Sequence, residues 1–131
     1  MKLIGDFYDI ELNLPQAEGM VYGFDVKLNP EHYIYKAHFP GHPITPGVCL
    51  MQMVAELASV AEKCALGVRA VRNAKYTGVV DPAENSLLRF IFSSRSDLGD
   101  GSLRVQVQVT DPGNPGNIFS KFSVTLTKEQ F

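Results

Sequence analysis

Apolar side chains recur at every second position in three separate stretches of the chain. Met20, Tyr22, Phe24, Val26 and Leu28 alternate with Val21, Gly23, Asp25, Lys27 and Asn29, the period of two shown by a strand with one buried face. Leu103, Val105, Val107 and Val109 alternate in the same way with Arg104, Gln106, Gln108 and Thr110, and Ile118 to Leu126 alternate with Phe119 to Thr127. Segments 68–80 and 87–93 read as further strands. The connectors carry turn chemistry, Asp100-Gly101 in one and the Pro/Gly loop 111–116 in the next, so the last three strands are expected to form an antiparallel meander.

Between Thr45 and Gly67 the period changes to that of a helix, with Thr45 as the expected N-cap, Pro46 in the first turn and Gly67 as the stop. The segment is apolar around most of its circumference, as a helix wrapped by a sheet must be. Its polar residues Gln52, Glu56, Ser59 and Lys63 are spaced by four, three and four, which places them on one face. Strands around one long helix make the expected class α+β. No repeat, low-complexity tract or linker divides the chain, so residues 1–131 are read as a single domain.

Composition narrows the function classes. The 131 residues are 45% hydrophobic and 20% charged, which excludes disorder, collagen and coiled coil. A net charge of -2 offers no overall positive field for nucleic acid. The first residues carry Asp6, Asp9 and Glu11 and do not read as a signal peptide. No apolar run is long enough to span a bilayer, and a cytoplasmic location is expected. Cys49 and Cys64, 15 residues apart on the expected helix, would lie about 22 Å from one another and are read as reduced packing residues.

The chemistry concentrates in Tyr35-Lys36-Ala37-His38-Phe39-Pro40-Gly41-His42-Pro43-Ile44-Thr45-Pro46-Gly47-Val48, where several prolines and glycines directly precede the helix. Each proline fixes its own φ and restrains its predecessor, so the loop is stiff and suited to holding His38 at the helix N-terminus. Unpaired N–H groups there can polarise a carbonyl oxygen. His32, His38 and His42 do not suggest a metal, because Pro40 and Pro43 prevent the helix that would bring His38 and His42 together. No metal is expected.

The run from His38 to Val48, followed by a long apolar helix, resembles the 3-hydroxyacyl-[acyl-carrier-protein] dehydratases of the hotdog superfamily (FabA/FabZ type). A weaker likeness follows at Ala74 to Pro82. The resemblance implies a hotdog fold, in which a curved antiparallel sheet wraps one central helix, and a dimer with sites at the subunit interface. It implies that His38 removes the proton α to a thioester carbonyl and that Phe39, Pro40, Gly41, Pro46, Gly47 and Val48 line the substrate site. The N–H of Gly47 or a neighbour would hold the thioester oxygen. Neutral imidazole suits that base role near pH 7. No cofactor is implied beyond the phosphopantetheine of acyl carrier protein, or coenzyme A, that carries the acyl group.

The departure is Gln52, which stands where the resemblance calls for a catalytic carboxylate, 14 residues after His38. An amide does not give a proton to a leaving hydroxyl near neutral pH. Three readings follow. Glu56, one turn on, supplies the carboxyl group; or a second hotdog subunit supplies it in a heterodimer; or the pocket binds acyl thioesters without dehydrating them. Glu56 and Gln52 also read as the start of a solvent-facing polar stripe with Ser59, Glu62 and Lys63. A hotdog thioesterase is the rival enzyme, and an acyl-binding or dimer-completing subunit the rival without catalysis. Expected partners are acyl carrier protein, for which Lys63, Arg69, Arg72 and Lys75 offer a local basic patch, and further hotdog chains in a dimer or trimer of dimers.

Overall fold

The computed structural model describes residues 2–37 and 41–129. His38, Phe39 and Pro40 of the predicted site lie outside the described residues. The elements run β1 (Tyr8–Leu14), β2 (Tyr22–Leu28), α1 (Tyr33–Ala37), α2 (Gly47–Glu62), β3 (Leu66–Tyr76), β4 (Leu87–Asp97), β5 (Ser102–Asp111) and β6 (Asn114–Lys128). All strands join one six-stranded sheet in the order β1-β2-β4-β5-β6-β3, and every pairing is antiparallel. The meander β4-β5-β6 stands as its alternation predicts.

The inner face of the sheet closes on α2. Met53, Val54 and Leu57 of the helix are fully buried, as are Val26, Leu88, Phe90, Phe92, Val105, Val124 and Leu126 from four of the strands. The apolar helix circumference is accounted for by this enclosure. An antiparallel sheet closed on one central helix is the α+β hotdog arrangement expected from the sequence.

Local boundaries differ from the expectation in instructive ways. Helix α2 ends at Glu62, five residues before the predicted stop at Gly67, because Lys63 adopts a left-handed conformation (φ 58°, ψ 36°) with its N–H on Ser59 O. Gly67 is instead a β3 residue opposite Thr127, and Cys64 lies beyond the helix. Pro46 takes the N-cap position without a side-chain cap; Thr45, predicted to cap, turns its hydroxyl to Tyr35. Strand β4 runs on to Asp97 past an irregularity between Phe92 and Ser94, which breaks the alternation that a sequence reading follows. Strand β6 begins at Asn114, so the expected loop 111–116 shrinks to a tight turn around Pro112-Gly113. Strand β1 was not predicted although Tyr8, Ile10, Leu12 and Leu14 alternate with Asp9, Glu11 and Asn13 at the strand period; the five-residue α1, also not predicted, is too short to show a helical period.

Candidate active site

Thr45, two residues before α2, is tied to α1 and to Val80. Tyr35, in the middle of α1, is buried and stacks on Phe7 with ring centroids 5.1 Å apart. Its hydroxyl meets buried Thr45 Oγ1 at 2.9 Å, and Thr45 N–H donates to Val80 O at 2.8 Å. Burial pushes the Tyr35 phenol up to about 12 against the opposing pull of its Thr45 hydrogen bond. His32 belongs to this brace: its Nδ1 accepts Ile34 N–H at 3.1 Å, so its proton sits on Nε2, 3.1 Å from Asp6 Oδ2. His42 is exposed. Among the described residues no cluster of His, Cys, Asp or Glu is placed to hold a metal ion.

Within α2 the hydrogen bonds start from Cys49 and Leu50 N–H, both to Pro46 O. The N–H groups of Gly47 and Val48 therefore have no acceptor inside the helix. Of the expected substrate-site residues, Gly41 is exposed with φ 84°, Pro46 and Gly47 are half-buried, and Val48 is exposed. Gly47 lies under the Tyr76 ring: a Cβ here would stand 2.7 Å from its Cε1, Cζ and Oη. The motif glycine is thus explained by an aromatic cover from β3, a residue that sequence reasoning placed in the weaker matching segment without this contact.

Gln52 and Glu56 face the same side of α2, and Gln52 Nε2 donates to Glu56 Oε2 at 2.9 Å. Glu56 is further engaged by the start of the chain. Leu3 N–H donates to Oε2 and Ile4 N–H to Oε1, each at 2.8 Å, and Tyr8 O–H donates to Oε1 at 3.0 Å. Four donors thus fill the acceptor positions of one half-buried carboxylate. The Tyr8 phenol is raised well above its usual range, by burial first and by the adjacent Glu56 charge next. Sequence reasoning missed Leu3 and Ile4 because a backbone N–H donor leaves no residue-type signature, and Tyr8 because it lies 48 residues from Glu56 in the chain.

The remaining members of the expected stripe have separate tasks. Ser59 Oγ donates to Ala55 O at 2.7 Å and accepts Leu66 N–H at 2.9 Å, fixing the turn into β3. Glu62 receives a two-pronged hydrogen bond from Arg95, both arms 2.9 Å, which holds its carboxyl below the usual range. Lys63, Arg69, Arg72 and Lys75 are exposed, and Arg69 pairs with Asp100 at 3.2 Å.

Two open clefts flank Gln52. One, of about 600 Å³, runs past Glu56, Ser59, Val60 and Cys64 beneath Lys2 and Ile4. The other, about 450 Å³ and mostly apolar, is lined by Val48, Met51, Val68, Val71, Ala74 and Tyr76. The arrangement places Gln52 between two clefts, about one helical turn from the N–H groups that begin α2, with Glu56 one turn further along in the first cleft.

A family model described as ApeI-like, ApeI dehydratase, matches residues 15–110. The chain is 32% identical over 124 residues to the 3-hydroxyacyl-[acyl-carrier-protein] dehydratase FabZ of Lactiplantibacillus plantarum, covering 82% of this chain and 80% of that protein. The FabZ of Wolbachia pipientis is 32% identical over 75 residues, 50% of this chain, and the match spans only 49% of its length. Among solved structures, the dehydratase heterocomplex ApeI:P from Xenorhabdus doucetiae superposes with a TM-score of 0.62 at 16% identity, over 91% of this chain and 96% of that one. An acyl-CoA hydrolase variant from Staphylococcus aureus superposes at 0.52 and 14% identity, over 86% of this chain and 68% of that one.

Proposed function

The chain belongs to the ApeI-like dehydratase family, and on that premise we propose that it removes water from a 3-hydroxyacyl thioester to give the trans-2-enoyl thioester. The observation that carries this reading is Gln52, set between two clefts about one turn beyond the Gly47 and Val48 N–H groups and hydrogen-bonded to Glu56 one turn further on. In this reading His38 takes the α-proton, the helix start holds the thioester oxygen as negative charge develops there, and the β-hydroxyl leaves beside the polar pair. The reaction is redox-neutral and calls for no cofactor beyond the phosphopantetheine or coenzyme A arm of the substrate. Acyl carrier protein, met by Lys63, Arg72 and Lys75, is the proposed carrier, in the cytoplasm.

The leaving hydroxyl needs a proton, and two sources are proposed. In a homomeric enzyme Glu56 supplies it. That requires one of its four donors to let go, since a carboxyl group cannot hold a proton where a donor already points. In a heteromeric enzyme a second hotdog chain brings the carboxyl group and this chain contributes His38. The full hydrogen bonding of Glu56 within its own chain favours the heteromer, as does the likeness to a chain from a dehydratase heterocomplex.

The test is to incubate the purified chain alone with 3-hydroxyacyl carrier-protein thioesters of several lengths and follow the conjugated enoyl product, with His38→Ala as the blank. Turnover that vanishes in the blank supports the homomeric enzyme. Turnover that appears only with a second hotdog chain supports the heteromer. A folded protein that binds acyl thioesters but never dehydrates them in either format overturns the proposal.

A further inference from the structure

We propose that the Tyr76 hydroxyl is a hydrogen-bond donor to the substrate's thioester oxygen, acting beside the backbone N–H groups that begin α2. The inference rests on the acyl-thioester reading above and adds to it a side chain from β3 that touches the reacting carbonyl.

The Tyr76 ring is fixed by its neighbours. It meets Phe122 of β6 in a T-shaped contact, with centroids 5.6 Å apart and planes at 71°. Its hydroxyl edge comes down on Gly47, where a Cβ would stand 2.7 Å from Cε1, Cζ and Oη alike, so the approach exists because the first residue of α2 is glycine. The backbone that follows is pinned as well. Thr77 and Gly78 N–H both donate to Phe119 O, at 2.9 and 3.0 Å, and Thr77 Oγ1 donates to Ile118 O at 2.6 Å. A ring and backbone held in this way present the hydroxyl in one place, as a preorganised donor must be.

That place is the helix start. A Cβ on Gly47 would stand about 2.5 Å from that residue's own N, and Oη is 2.7 Å from the same point, so the hydroxyl and the Gly47 N lie no more than about 5 Å apart. An N–H reaches about 2.9 Å to its acceptor and an O–H about 2.7 Å, so one oxygen lies within reach of both. The hydroxyl has no hydrogen-bond partner among the described residues, and Tyr76 borders the apolar cleft with Val48, Met51 and Gln52. Burial raises the phenol above its ordinary value, so it keeps its proton and donates throughout the neutral range. As His38 takes the α-proton, negative charge grows on the thioester oxygen. The phenol donates to that oxygen without giving up its proton, and the hydrogen bond strengthens with the charge, so it lowers the barrier more than it tightens substrate binding.

The infrared band of a bound carbonyl tests this directly. The probe is S-octanoyl-pantetheine labelled with carbon-13 at the carbonyl, a saturated thioester with no hydroxyl to lose, added to the whole chain. Tyr76→Phe removes the hydroxyl and keeps the half-exposed ring on Phe122 and Gly47, so the fold is expected to be retained, as circular dichroism would show. The carbonyl band in Tyr76→Phe is expected at higher frequency than in the wild type, because a carbonyl that loses a donor regains double-bond character, and the affinity is expected to fall about two- to tenfold, the worth of one neutral hydrogen bond. In the dehydration assay, Tyr76→Phe is expected to lower kcat at least tenfold while KM stays within that range. A band that stays in place in Tyr76→Phe and moves only in Tyr76→Leu assigns the ring a covering role and overturns the proposal, as does an unchanged kcat in Tyr76→Phe. A wild-type chain that binds the probe with a band that neither variant moves overturns this inference alone; a folded wild-type chain that does not bind the probe overturns the acyl-thioester reading beneath it.

Discussion

A single amide in place of a carboxylate changes what the helix face can do, and the change is reversible by mutation. Gln52→Glu puts a second carboxyl group against Glu56, within the 2.9 Å contact that the amide now makes. Two like charges so close cannot both form, so the pair retains one proton to a higher pH than either carboxyl alone. That shared proton is available to a leaving hydroxyl. The expected outcome is that Gln52→Glu, assayed without any second chain, matches or exceeds the wild-type rate. Its rate should fall as pH rises through the raised pKa of the pair, because the proton-donating form is the active one and disappears above that value. A kcat/KM profile against pH for both proteins checks this. Gly47 offers a second residue-scale prediction. Gly47→Ala forces the half-exposed Tyr76 ring off the helix start; the expectation is a loss of activity of tenfold or more, about 1.4 kcal/mol of transition-state binding. The melting temperature, read by circular dichroism, should move by only a few degrees because the displaced ring is at the surface.

Among the elements, the helix start was legible and its end was not. Pro46-Gly47 signals a beginning through restricted backbone chemistry, whereas the end depends on Ser59 reaching forward to Leu66 and on Lys63 adopting a positive φ, neither of which has a residue-type signature. Strands with clean alternation and a buried face were read closely; β1 was missed although Tyr8, Ile10, Leu12 and Leu14 alternate with Asp9, Glu11 and Asn13, a short strand at the sheet edge that buries little beyond Tyr8. The site divides in the same way. The loop motif and the face shared by Gln52 and Glu56 follow from spacing, but the donors from Leu3, Ile4 and Tyr8 come from a segment about fifty residues away in sequence. Two predictions belong at this scale. Ser59→Ala leaves the partly buried Leu66 N–H without its acceptor and is expected to cost about 1–2 kcal/mol in denaturant unfolding. The Glu62–Arg95 pair ties α2 to β4, and the Glu62 carboxyl is held below its ordinary value of 4.5 chiefly by its Arg95 hydrogen bonds. Its stabilisation is therefore complete above about pH 4.5 and is lost as pH falls through the lower folded value. Arg95→Met should flatten the stability–pH curve in that acid window and change its shape little at neutral pH, as urea unfolding between pH 3 and 7 would show.

At the scale of the whole molecule, the sheet ends on β3, which has β6 on one side and, among the described residues, no strand on the other. Beside it lies the apolar cleft of Val48, Val68, Val71 and Tyr76, whose side chains are 67%, 37%, 49% and 53% exposed. A free strand edge next to uncovered apolar side chains is a surface that natural proteins cover. The same cleft adjoins Gln52, so whatever covers it also borders the candidate site. If that cover is a second hotdog chain, pairing and catalysis are coupled, and Val71→Lys tests the coupling without touching His38, Gln52 or Glu56. Val71 is half-exposed and outside the core, so the fold should tolerate a lysine there. The charge would then be desolvated only on association, which weakens pairing selectively. Analytical ultracentrifugation should show the wild-type chain as a dimer or larger and Val71→Lys shifted toward monomer, with turnover falling in proportion to the monomer fraction. A wild-type chain that sediments as a monomer and still dehydrates its substrate would show that one chain holds the whole site, and would return the proton-donating role to Glu56.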